Sequence, residues 1–444
     1  MSNSKPTRVF CLTLGCSKNT VDSERIIKAL AGLGFEAAAS AEDADVAIVN
    51  TCGFIRSAVE ENIAAILDLV ELKTKGNLRG VGVVGCLVAR FGDELKRDIP
   101  EVDFWAGCED TATILAAMTP GGAAVLPASG RVQASGELRH VRYLKISEGC
   151  DKACSYCAIP SIRGPLRSRT VGDLVAEAES LAHEGAAEIC LVAQDLSAYG
   201  EDRGERGGLI PLLDALESSL PGDVWLRMLY LQPSGVGRAL LERVANGRQV
   251  LPYLDIPIQH SVPRILNLMN RGGGADDMLE IFETARAIRP DFALRTTCMV
   301  GFPGETRSDF ASLLKFLEKV AFDRLGAFIF SPEEGTVAAD LPSQTSKRTA
   351  RSRLDRLMSL QENISYERNS LFVGREMLVT IDEIRADGSA DCRSYREAPD
   401  VDGVVGLISL PGGAKPGDKI RVRITDAYEH DLEAEVVEAV SRSA

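Results

Sequence analysis

Three cysteines, each placed just after a short apolar run, constrain the fold of the first part of the chain. Cys16, Cys52 and Cys86 are far apart in sequence, yet each follows a run rich in Val and other apolar residues that gives way to a helical pattern. Such runs are typical of buried parallel strands in βα units, so they predict a parallel α/β domain. Ligands gather at the carboxyl ends of such strands, and we therefore expect the three thiols to converge. The runs are residues 9–14, 46–50 and 80–84, and the first two predicted helices are residues 20–33 and 56–73.

Two interpretations of these three thiols remain open. Free Cys packs well as a small apolar side chain, so all three could simply belong to the core. Three thiols at equivalent strand ends nevertheless favour an iron–sulfur cluster with three protein ligands. Five further cysteines lack this context and are expected to be ordinary interior or surface thiols: Cys11, Cys108, Cys190, Cys298 and Cys392.

A second cysteine set lies within eight residues. Cys150, Cys154 and Cys157 form a C-x₃-C-x₂-C pattern, and the aromatic residue Tyr156 precedes the third cysteine. A structural zinc site usually has four protein ligands and C-x₂-C pairs, so a zinc knuckle fits the pattern less well. Three thiolates on one short loop, with no fourth Cys or His nearby, predict an iron–sulfur cluster that keeps one iron open.

This loop resembles the C-x₃-C-x-Φ-C signature of radical S-adenosylmethionine (SAM) enzymes. The resemblance implies that the open iron binds the amino and carboxylate groups of SAM, and that Tyr156 packs near the adenine. It also implies reductive cleavage of SAM to methionine and a 5′-deoxyadenosyl radical, which abstracts hydrogen from an unactivated carbon. Acid–base side chains cannot perform that step, and a cofactor must supply it.

Taken together, the two cysteine sets resemble the methylthiotransferases over nearly the whole chain, from about residue 8 to about residue 440. In that family the first three cysteines occur in the contexts LGCSKN, NTCGF and GC, which are present here at residues 14–19, 50–54 and 85–86. The resemblance implies two [4Fe-4S] clusters and two molecules of SAM. One SAM would methylate a sulfur held by the first cluster, and the other would yield the radical. The implied ligands are Cys16, Cys52 and Cys86 for one cluster and Cys150, Cys154 and Cys157 for the other.

Changes in the pattern of apolar, polar and turn residues along the chain predict three domains. Alternating strands and helices indicate an amino-terminal parallel α/β domain at residues 6–119, and Pro- and Gly-containing segments at residues 120–124 and 127–130 indicate a linker. Six further βα-type strands predict an open, partial (β/α)6 radical SAM barrel at residues 136–368. Short alternating runs at residues 377–381, 403–410, 420–427 and 433–440, punctuated by Gly, Pro and Asp, predict a small carboxyl-terminal antiparallel β-barrel, TRAM-like, at residues 371–440. The predicted strands of the larger barrel are residues 141–146, 188–193, 224–230, 254–258, 293–300 and 325–330.

Several side chains outside the cysteine sets are candidates for SAM contacts. The turn at residues 301–306 resembles the family's SAM-contacting turn, in which the backbone at Gly301 and the side chain of Glu305 meet the ribose or the amino group; otherwise it is a plain βα turn. Gln194 and Asp195 end the second barrel strand, where Asp195 could instead cap a helix. No catalytic residue beyond the cluster ligands is expected.

Four further polar residues are given other roles. Arg163, Arg167 and Arg169 follow the cysteine loop and are expected to form ion pairs, although one of them could bind a substrate carboxylate. His260 is expected to be structural. A basic stretch at residues 346–356 predicts a solvated connector helix in preference to an RNA-binding one.

Two branches of the family differ in substrate: one modifies isopentenyl-adenosine in tRNA, and the other modifies the β-carbon of an aspartate in small-subunit ribosomal protein S-twelve. The strings at residues 14–19, 147–151, 255–260 and 331–334 resemble the ribosomal-protein branch. The chain has a net charge of −14, and residues 371–444 carry fifteen acidic and nine basic side chains, a net charge of −6. This acidity suits a basic ribosomal protein better than a phosphate backbone, with Asp400 and Asp402 expected to face the partner.

The alternatives are the tRNA-modifying activity and a non-catalytic iron–sulfur module that binds RNA. The intact C-x₃-C-x-Φ-C motif argues against the module, because a scaffold needs no open iron. The expected partners are ribosomal protein S-twelve or the small ribosomal subunit, and an electron donor such as flavodoxin or ferredoxin. Eleven cysteines, no signal peptide and no long apolar run favour a cytoplasmic protein without membrane contact, and a monomer is expected.

Overall fold

The computed structural model describes residues 6–119 and 140–438, and the chain divides into two compact units. The first unit comprises Met1–Glu137, Tyr143–Lys152 and Cys157–Arg167. The second unit comprises Leu138–Arg142, Ala153–Tyr156 and Ser168–Ala444. The predicted linker segments and the predicted domain boundaries at residues 136 and 440 lie outside the described residues.

The first unit contains a five-stranded parallel sheet with the strand order β2-β1-β3-β4-β5. Its apolar strands are buried on both faces, and successive residues point to opposite sides: Ile48 packs against α1 and α4, whereas Ala47 and Val49 pack against α2 and α3. The predicted parallel α/β fold is therefore confirmed. The elements are β1 (Arg8–Thr13), α1 (Ser17–Ala31), β2 (Glu36–Ala37), β3 (Val46–Thr51), α2 (Arg56–Thr74), β4 (Gly80–Gly85), α3 (Cys86–Asp98), β5 (Phe104–Ala106) and α4 (Thr111–Met118).

Six strands of a partial barrel come next, alternating with helices in chain order, and β9–β10, β11–β12 and β12–β13 pair in parallel. They pair as two runs of three, β6-β9-β10 and β11-β12-β13, and all six predicted strands are present. The elements are β6 (Val141–Lys145), the short β7 (Ser147–Glu148), α5 (Ile159–Arg163), the short β8 (Arg167–Ser168), α6 (Val171–His183), β9 (Glu188–Val192), α7 (Leu209–Ser219), β10 (Trp225–Met228), α8 (Arg238–Ala245), β11 (Tyr253–Asp255), α9 (Pro263–Leu268), α10 (Ala275–Ile288), β12 (Ala293–Val300), α11 (Arg307–Val320) and β13 (Arg324–Ile329).

A closed five-stranded barrel ends the second unit, with the strand order β14-β15-β16-β18-β17. Most of its neighbouring strands are antiparallel, as predicted, but β16 and β18 run parallel. The sequence analysis missed β15, because this short strand carries Asp391 and Arg393 and lacks an apolar run. The elements are α12 (Lys347–Ser370), β14 (Glu376–Ile384), β15 (Ala390–Arg393), β16 (Val405–Leu407), β17 (Lys419–Ala427) and β18 (Leu432–Glu438).

Buried ion pairs join the partial barrel and the small barrel within the second unit. Glu188 of β9 accepts hydrogen bonds from Arg227 (2.5 Å) and from Arg393 of the small barrel (2.8 Å). Burial would raise the pKa of Glu188, but the two guanidinium groups lower it to about 2. Asp323 is likewise enclosed by Arg396, Arg368 and Arg286. The arginines of the small barrel thus pair with buried carboxylates of the partial barrel. Because these pairs bridge the two barrels, the barrels pack as parts of one unit.

Two residues expected at the surface are buried. The side chain of Asp402 is 3% exposed, and it accepts hydrogen bonds from the Tyr253 hydroxyl (2.6 Å) and the Ala398 N–H (2.9 Å). It therefore cannot face a partner as predicted, whereas Asp400 is exposed. Within the basic helix α12, Arg353 is buried and forms an ion pair with Glu305 (3.2 Å), so this helix is only partly solvated. No helix among the described residues is long and apolar enough to cross a membrane.

Candidate functional site

Cys16, Cys52 and Cys86 follow β1, β3 and β4, which are neighbours in the sheet of the first unit. Close approach of the loops leaves no space for larger residues between the thiols: a Cβ atom on Gly15 would lie 2.8 Å from the Cys52 Cβ, and one on Gly53 would lie 2.8 Å from the Cys86 carbonyl oxygen. Gly15 also has φ +106°, a conformation that favours glycine. Burial raises the pKa of Cys52, and the neighbouring thiolates of Cys16 and Cys86 raise it further. The structure thus brings the three predicted thiols together.

Three buried asparagines hold the loops that carry these thiols. The Asn19 amide donates to the carbonyl oxygens of Leu14 (2.7 Å) and Thr51 (3.0 Å), which lie on two different strand ends. Asn50 donates to the Asn19 carbonyl (2.9 Å), and Asn62 accepts from the Cys52 N–H (2.9 Å). Backbone groups that the strands leave unpaired are satisfied by these side chains, so the loop geometry is fixed before any ligand binds.

Cys86 has two polar neighbours that the sequence analysis did not connect with it. The Arg163 Nε–H donates to the Cys86 Sγ at 3.2 Å, and the Cys108 Sγ lies 3.7 Å from it. The Cys108 thiol and the Arg163 guanidinium lower the pKa of Cys86 to about 6. Cys108, which the sequence left among the ordinary interior or surface thiols, therefore lies in contact with one of the three converging thiols. Cys11, Cys190, Cys298 and Cys392 are ordinary interior thiols in the structure, and burial raises the pKa of each.

A buried ion cluster lies beside these thiols in the first unit. The Lys145 ammonium contacts Asp22, Glu148 (2.6 Å) and Glu109 (2.9 Å), and the Arg163 guanidinium contacts Asp22 (3.2 Å) and Glu148 (3.0 Å). The three carboxylates are close enough together to hold a metal ion, but Lys145, Arg163 and Arg167, which pairs with Glu109, already neutralise them. We therefore assign this cluster to structure. Its members come from distant parts of the sequence, so no local pattern revealed it.

The loop that carries the second cysteine set contributes Cys150 and Cys157 to the first unit and Cys154 to the second. In the first unit, the Cys157 Sγ accepts from the Ile159 N–H and the Cys150 Sγ accepts from the Lys152 N–H, both at 3.4 Å. The Cys150 N–H donates to the Gly164 carbonyl oxygen (3.1 Å). Backbone donors therefore face both sulfur atoms, an arrangement that stabilises thiolates bound to a cluster.

In the second unit, the segment around Cys154 is anchored to the end of α9. Ser155 bonds through its N–H to the Met269 carbonyl (2.9 Å) and through its hydroxyl to the Leu268 carbonyl (2.7 Å). Arg271 donates to the Tyr156 hydroxyl (3.2 Å) and lies 4.0 Å from the Cys154 Sγ. Arg271 was missed by the sequence analysis, although the run of three glycines that follows it marks an unusual loop.

The residues predicted to contact SAM all belong to the second unit. The Tyr156 ring meets the Phe302 ring edge-on, with centroids 6.5 Å apart. Gly301 requires glycine, because its φ is +75° and a Cβ there would lie 2.6 Å from the Ala350 Cβ. Glu305 turns back into its own loop: one carboxylate oxygen accepts from the N–H groups of Gly301 and Phe302, and burial raises its pKa. Its contact with SAM stays a prediction, and its contacts hold the turn.

The remaining polar candidates occupy well-defined local positions. Asp195 accepts from the Ser197 N–H (3.1 Å) and hydroxyl (2.5 Å), as a cap does, and Gln194 precedes it. His260 is fully buried; its Nδ1 accepts from the Val262 N–H (3.0 Å), and burial lowers its pKa to about 4. Arg167 forms an ion pair with Glu109 in the first unit, and Arg169 forms one with Glu177 in the second. Roles of Gln194 and Asp195 at a cofactor stay predictions.

The donor set fits iron–sulfur clusters better than single metal ions. Among the described residues, only the carboxylates Asp22, Glu109 and Glu148 have ligand atoms as close together as one ion requires. Cys16, Cys52 and Cys86 converge but are spaced more widely, as a multi-iron cluster would keep them. Hydrogen-bond donors face Cys86, Cys150 and Cys157, and such donors stabilise thiolates bound to iron.

Family models match three consecutive parts of the chain. Uncharacterized protein family UPF0004 matches residues 8–107, the radical SAM superfamily matches residues 144–317, and the TRAM domain matches residues 373–437. These segments correspond to the α/β sheet, to most of the partial barrel and to the closed small barrel.

Curated relatives match over almost their whole length. The ribosomal protein uS12 methylthiotransferase RimO of Anaeromyxobacter sp. is 43% identical over 442 residues, covering 97% of this chain and 93% of the relative. The protein of the same name from Thermus thermophilus is 43% identical, covering 96% of this chain and 98% of the relative. The one from Geobacter sulfurreducens is 40% identical, with coverages of 98% and 100%.

Solved structures share the fold at much lower identity. The radical S-adenosylmethionine methyltransferase TsrM from Kitasatospora setae superposes with a TM-score of 0.55 at 14% identity, covering 93% of this chain and 82% of that chain. The cobalamin-dependent S-adenosylmethionine radical enzyme OxsB gives a TM-score of 0.52 at 11% identity, with coverages of 81% and 56%. At these identities the likeness concerns the fold alone.

Proposed function

Because this chain belongs to the RimO family of ribosomal protein uS12 methylthiotransferases, we propose that it transfers a methylthio group to the β-carbon of an aspartate in uS12, the S-twelve protein of the small ribosomal subunit. One observation carries the proposal: a chain 43% identical to these relatives over 97% of its length gathers Cys16, Cys52 and Cys86 at the ends of neighbouring strands. The protein is a radical SAM enzyme that uses [4Fe-4S] clusters and SAM.

Six cysteines are proposed as the cluster ligands. Cys150, Cys154 and Cys157 would hold the cluster that binds SAM, and Cys16, Cys52 and Cys86 would hold an auxiliary cluster that carries the sulfur. When bound, these groups supply reductive cleavage of SAM and the sulfur for transfer. The support is the convergence of Cys16, Cys52 and Cys86 at neighbouring strand ends, together with the hydrogen bonds from backbone and guanidinium donors to Cys86, Cys150 and Cys157, which stabilise thiolates bound to iron.

The protein's own groups position SAM in this proposal. Arg271 donates to the Tyr156 hydroxyl and so fixes the ring that would pack near the adenine. Glu305 fixes the turn at Gly301 by accepting the N–H groups of Gly301 and Phe302, and this turn would lie against SAM. Gln194 and Asp195 lie at the carboxyl end of β9, the edge at which parallel βα barrels place their chemistry.

The charge of the small barrel supports a basic protein substrate. Among its described residues, nine carboxylates are exposed and only five basic side chains are, because Arg393 and Arg396 are buried in ion pairs. The exposed carboxylates are Glu376, Glu383, Asp387, Asp400, Asp426, Glu429, Asp431, Glu433 and Glu435. Such a surface attracts a basic ribosomal protein and repels a phosphate backbone, although TRAM domains are associated with RNA. An enzyme with this substrate acts in the cytoplasm and needs an electron donor such as flavodoxin or ferredoxin.

Intact-mass analysis of uS12 tests the substrate. A methylthio group that replaces hydrogen adds about 46 Da, a mass set by the transferred group alone. Cells that contain this enzyme as their sole methylthiotransferase should yield uS12 with that increment and tRNA without methylthio-adenosine. Unmodified uS12 together with modified tRNA would assign the chain to the tRNA branch.

Charge reversal in the small barrel tests the contact surface. Glu383 and Glu429 are exposed, so the variant Glu383→Lys with Glu429→Lys should fold normally but bind uS12 several-fold more weakly, with a shallower salt dependence. Glu94→Lys with Asp93→Lys, in the first unit, makes the same change in net charge and serves as the control. Equal weakening in both variants would show that only the total charge of the protein matters.

A further inference from the structure

One short segment of the first unit contacts sulfur atoms from both cysteine sets. Helix α5 begins at Ile159, whose N–H faces the Cys157 Sγ at 3.4 Å, and ends at Arg163, whose Nε–H faces the Cys86 Sγ at 3.2 Å. The next residue, Gly164, accepts the N–H of Cys150. The loop of the SAM cluster is therefore connected through five helical residues to a ligand of the auxiliary cluster.

Arg163 is held in one orientation by its other contacts. Its Nη1 donates to both oxygens of Glu148 (3.0 Å each) and to Asp22 (3.2 Å), and its Nη2 donates to the Asn19 carbonyl side-chain oxygen (2.7 Å). The side chain is 2% exposed, and Lys145 binds the same two carboxylates from the other side. With both terminal nitrogens anchored, the Nε–H is directed at the Cys86 sulfur.

We propose that Arg163 is a positioning residue that raises the reduction potential of the auxiliary cluster through its hydrogen bond to Cys86; this inference rests on the proposed assignment of Cys16, Cys52 and Cys86 as ligands. A hydrogen bond to a ligand sulfur withdraws electron density and favours the reduced cluster. The positive charge of Arg163 acts weakly beyond this contact, because Asp22 and Glu148 neutralise it at about 3 Å. The hydrogen bond itself is the effective interaction.

A charge-neutral pair of substitutions isolates that hydrogen bond. Arg163→Met alone would leave the buried carboxylates of Asp22 and Glu148 with only the Lys145 ammonium as counter-ion and would endanger folding. Arg163→Met combined with Glu148→Gln removes one positive and one negative charge, and the thioether of Met cannot donate to sulfur. Glu148→Gln alone keeps the Nε–H donor facing Cys86 and is the matched control.

The measurement is the midpoint potential of the auxiliary cluster, taken in full-length protein whose Cys150, Cys154 and Cys157 are replaced by Ala. We expect the Arg163→Met and Glu148→Gln double variant to have a more negative potential than the background protein with both residues intact, which has the same net charge at this cluster, whereas Glu148→Gln alone should not make the potential more negative; about four irons per chain are expected in each. The Fe–S stretching frequencies in resonance Raman spectra should rise in the double variant, because a bond to an unassisted thiolate is stronger.

Three other outcomes would each overturn the inference, and they can be told apart. If the background variant binds no iron, the assignment of Cys16, Cys52 and Cys86 fails, and the proposed function fails with it. If iron is bound but the potentials of the double variant and the background protein agree, the ligand assignment stands and the role of Arg163 is overturned. Loss of iron from the folded double variant, and also from Arg163→Lys, would make Arg163 a purely structural requirement and would equally overturn the inference.

Discussion

The two cysteine sets differ in how far apart their members lie in the sequence. Neighbouring members of the first set (Cys16, Cys52 and Cys86) are more than thirty residues apart, whereas the second set (Cys150, Cys154 and Cys157) falls within eight residues. The first set is assembled by sheet topology: adjacent parallel strands end at the same edge, and asparagine side chains fix the loops there. The second set is assembled by one loop, whose backbone N–H groups already face two of its sulfur atoms. A topological site depends on the folded sheet, while a loop site depends mainly on its own residues and their anchors.

The largest effect is expected from removing the second cysteine set, whose three members lie on one loop. Replacing Cys150, Cys154 and Cys157 with Ala should abolish cleavage of SAM to 5′-deoxyadenosine and halve the iron content, from about eight to about four per chain. The sheet of the first unit should remain folded, since it does not need these thiols. Iron analysis and chromatography of the nucleoside product give the result; iron that stays near eight would contradict the ligand assignment.

Removing the first cysteine set should separate cleavage of SAM from methylthiolation of uS12. With Cys16, Cys52 and Cys86 replaced by Ala, the protein should still cleave SAM but should form no methylthiolated uS12, because radical formation and sulfur supply depend on different clusters. Both products can be measured in the same reaction by mass spectrometry. If SAM cleavage disappears while the other cluster is intact, these thiols serve some other step.

A smaller effect is expected from replacing Asn19, one of the asparagines that hold the loops of the first cysteine set. Asn19→Ala removes the amide donors to Leu14 and Thr51 and should lower the free energy of unfolding by roughly 2–4 kcal/mol, because buried carbonyl groups lose their partners. It should also weaken iron binding at the first cysteine set. Asn363→Ala is the control: Asn363 is exposed and bonds only within its own helix, so its change should stay within about 0.5 kcal/mol. Equal losses in the two variants would remove Asn19 from this role.

His260 should produce the smallest effect, confined to acid pH. Its pKa is about 4 in the folded protein, below its ordinary value, because burial disfavours the charged ring. The unfolded chain therefore binds a proton that the folded protein does not, and stability falls as the pH drops from about 6.5 towards 4. Between pH 7 and pH 5 this costs about 2 kcal/mol, and His260→Gln should lack that loss. Denaturant unfolding of both proteins at the two pH values tests it; parallel pH slopes would contradict the assignment.

Much of the fold could be predicted because the apolar runs are strong and regularly spaced. All six strands of the partial barrel, the strands before Cys16, Cys52 and Cys86, and most of the small barrel lie within a few residues of their predicted positions. The misses share a physical cause. β15 is short and charged, and its neighbours in the barrel, not its composition, make it a strand. Asp402 has the appearance of a surface residue, and only the approach of Tyr253 and Ala398 buries it.

The sequence by itself determined the chemistry of this protein, because six cysteines, their spacing and their local contexts are covalent properties of the chain. It also determined the order of the elements, since periodicity and turn residues act locally. Only the tertiary structure decided what surrounds each sulfur. Arg163, Cys108, Asn19 and Arg271 reach the thiols or their loops across long stretches of sequence, and no local pattern encodes such contacts. Long-range packing fixes them, because buried polar groups must find partners wherever the fold places them.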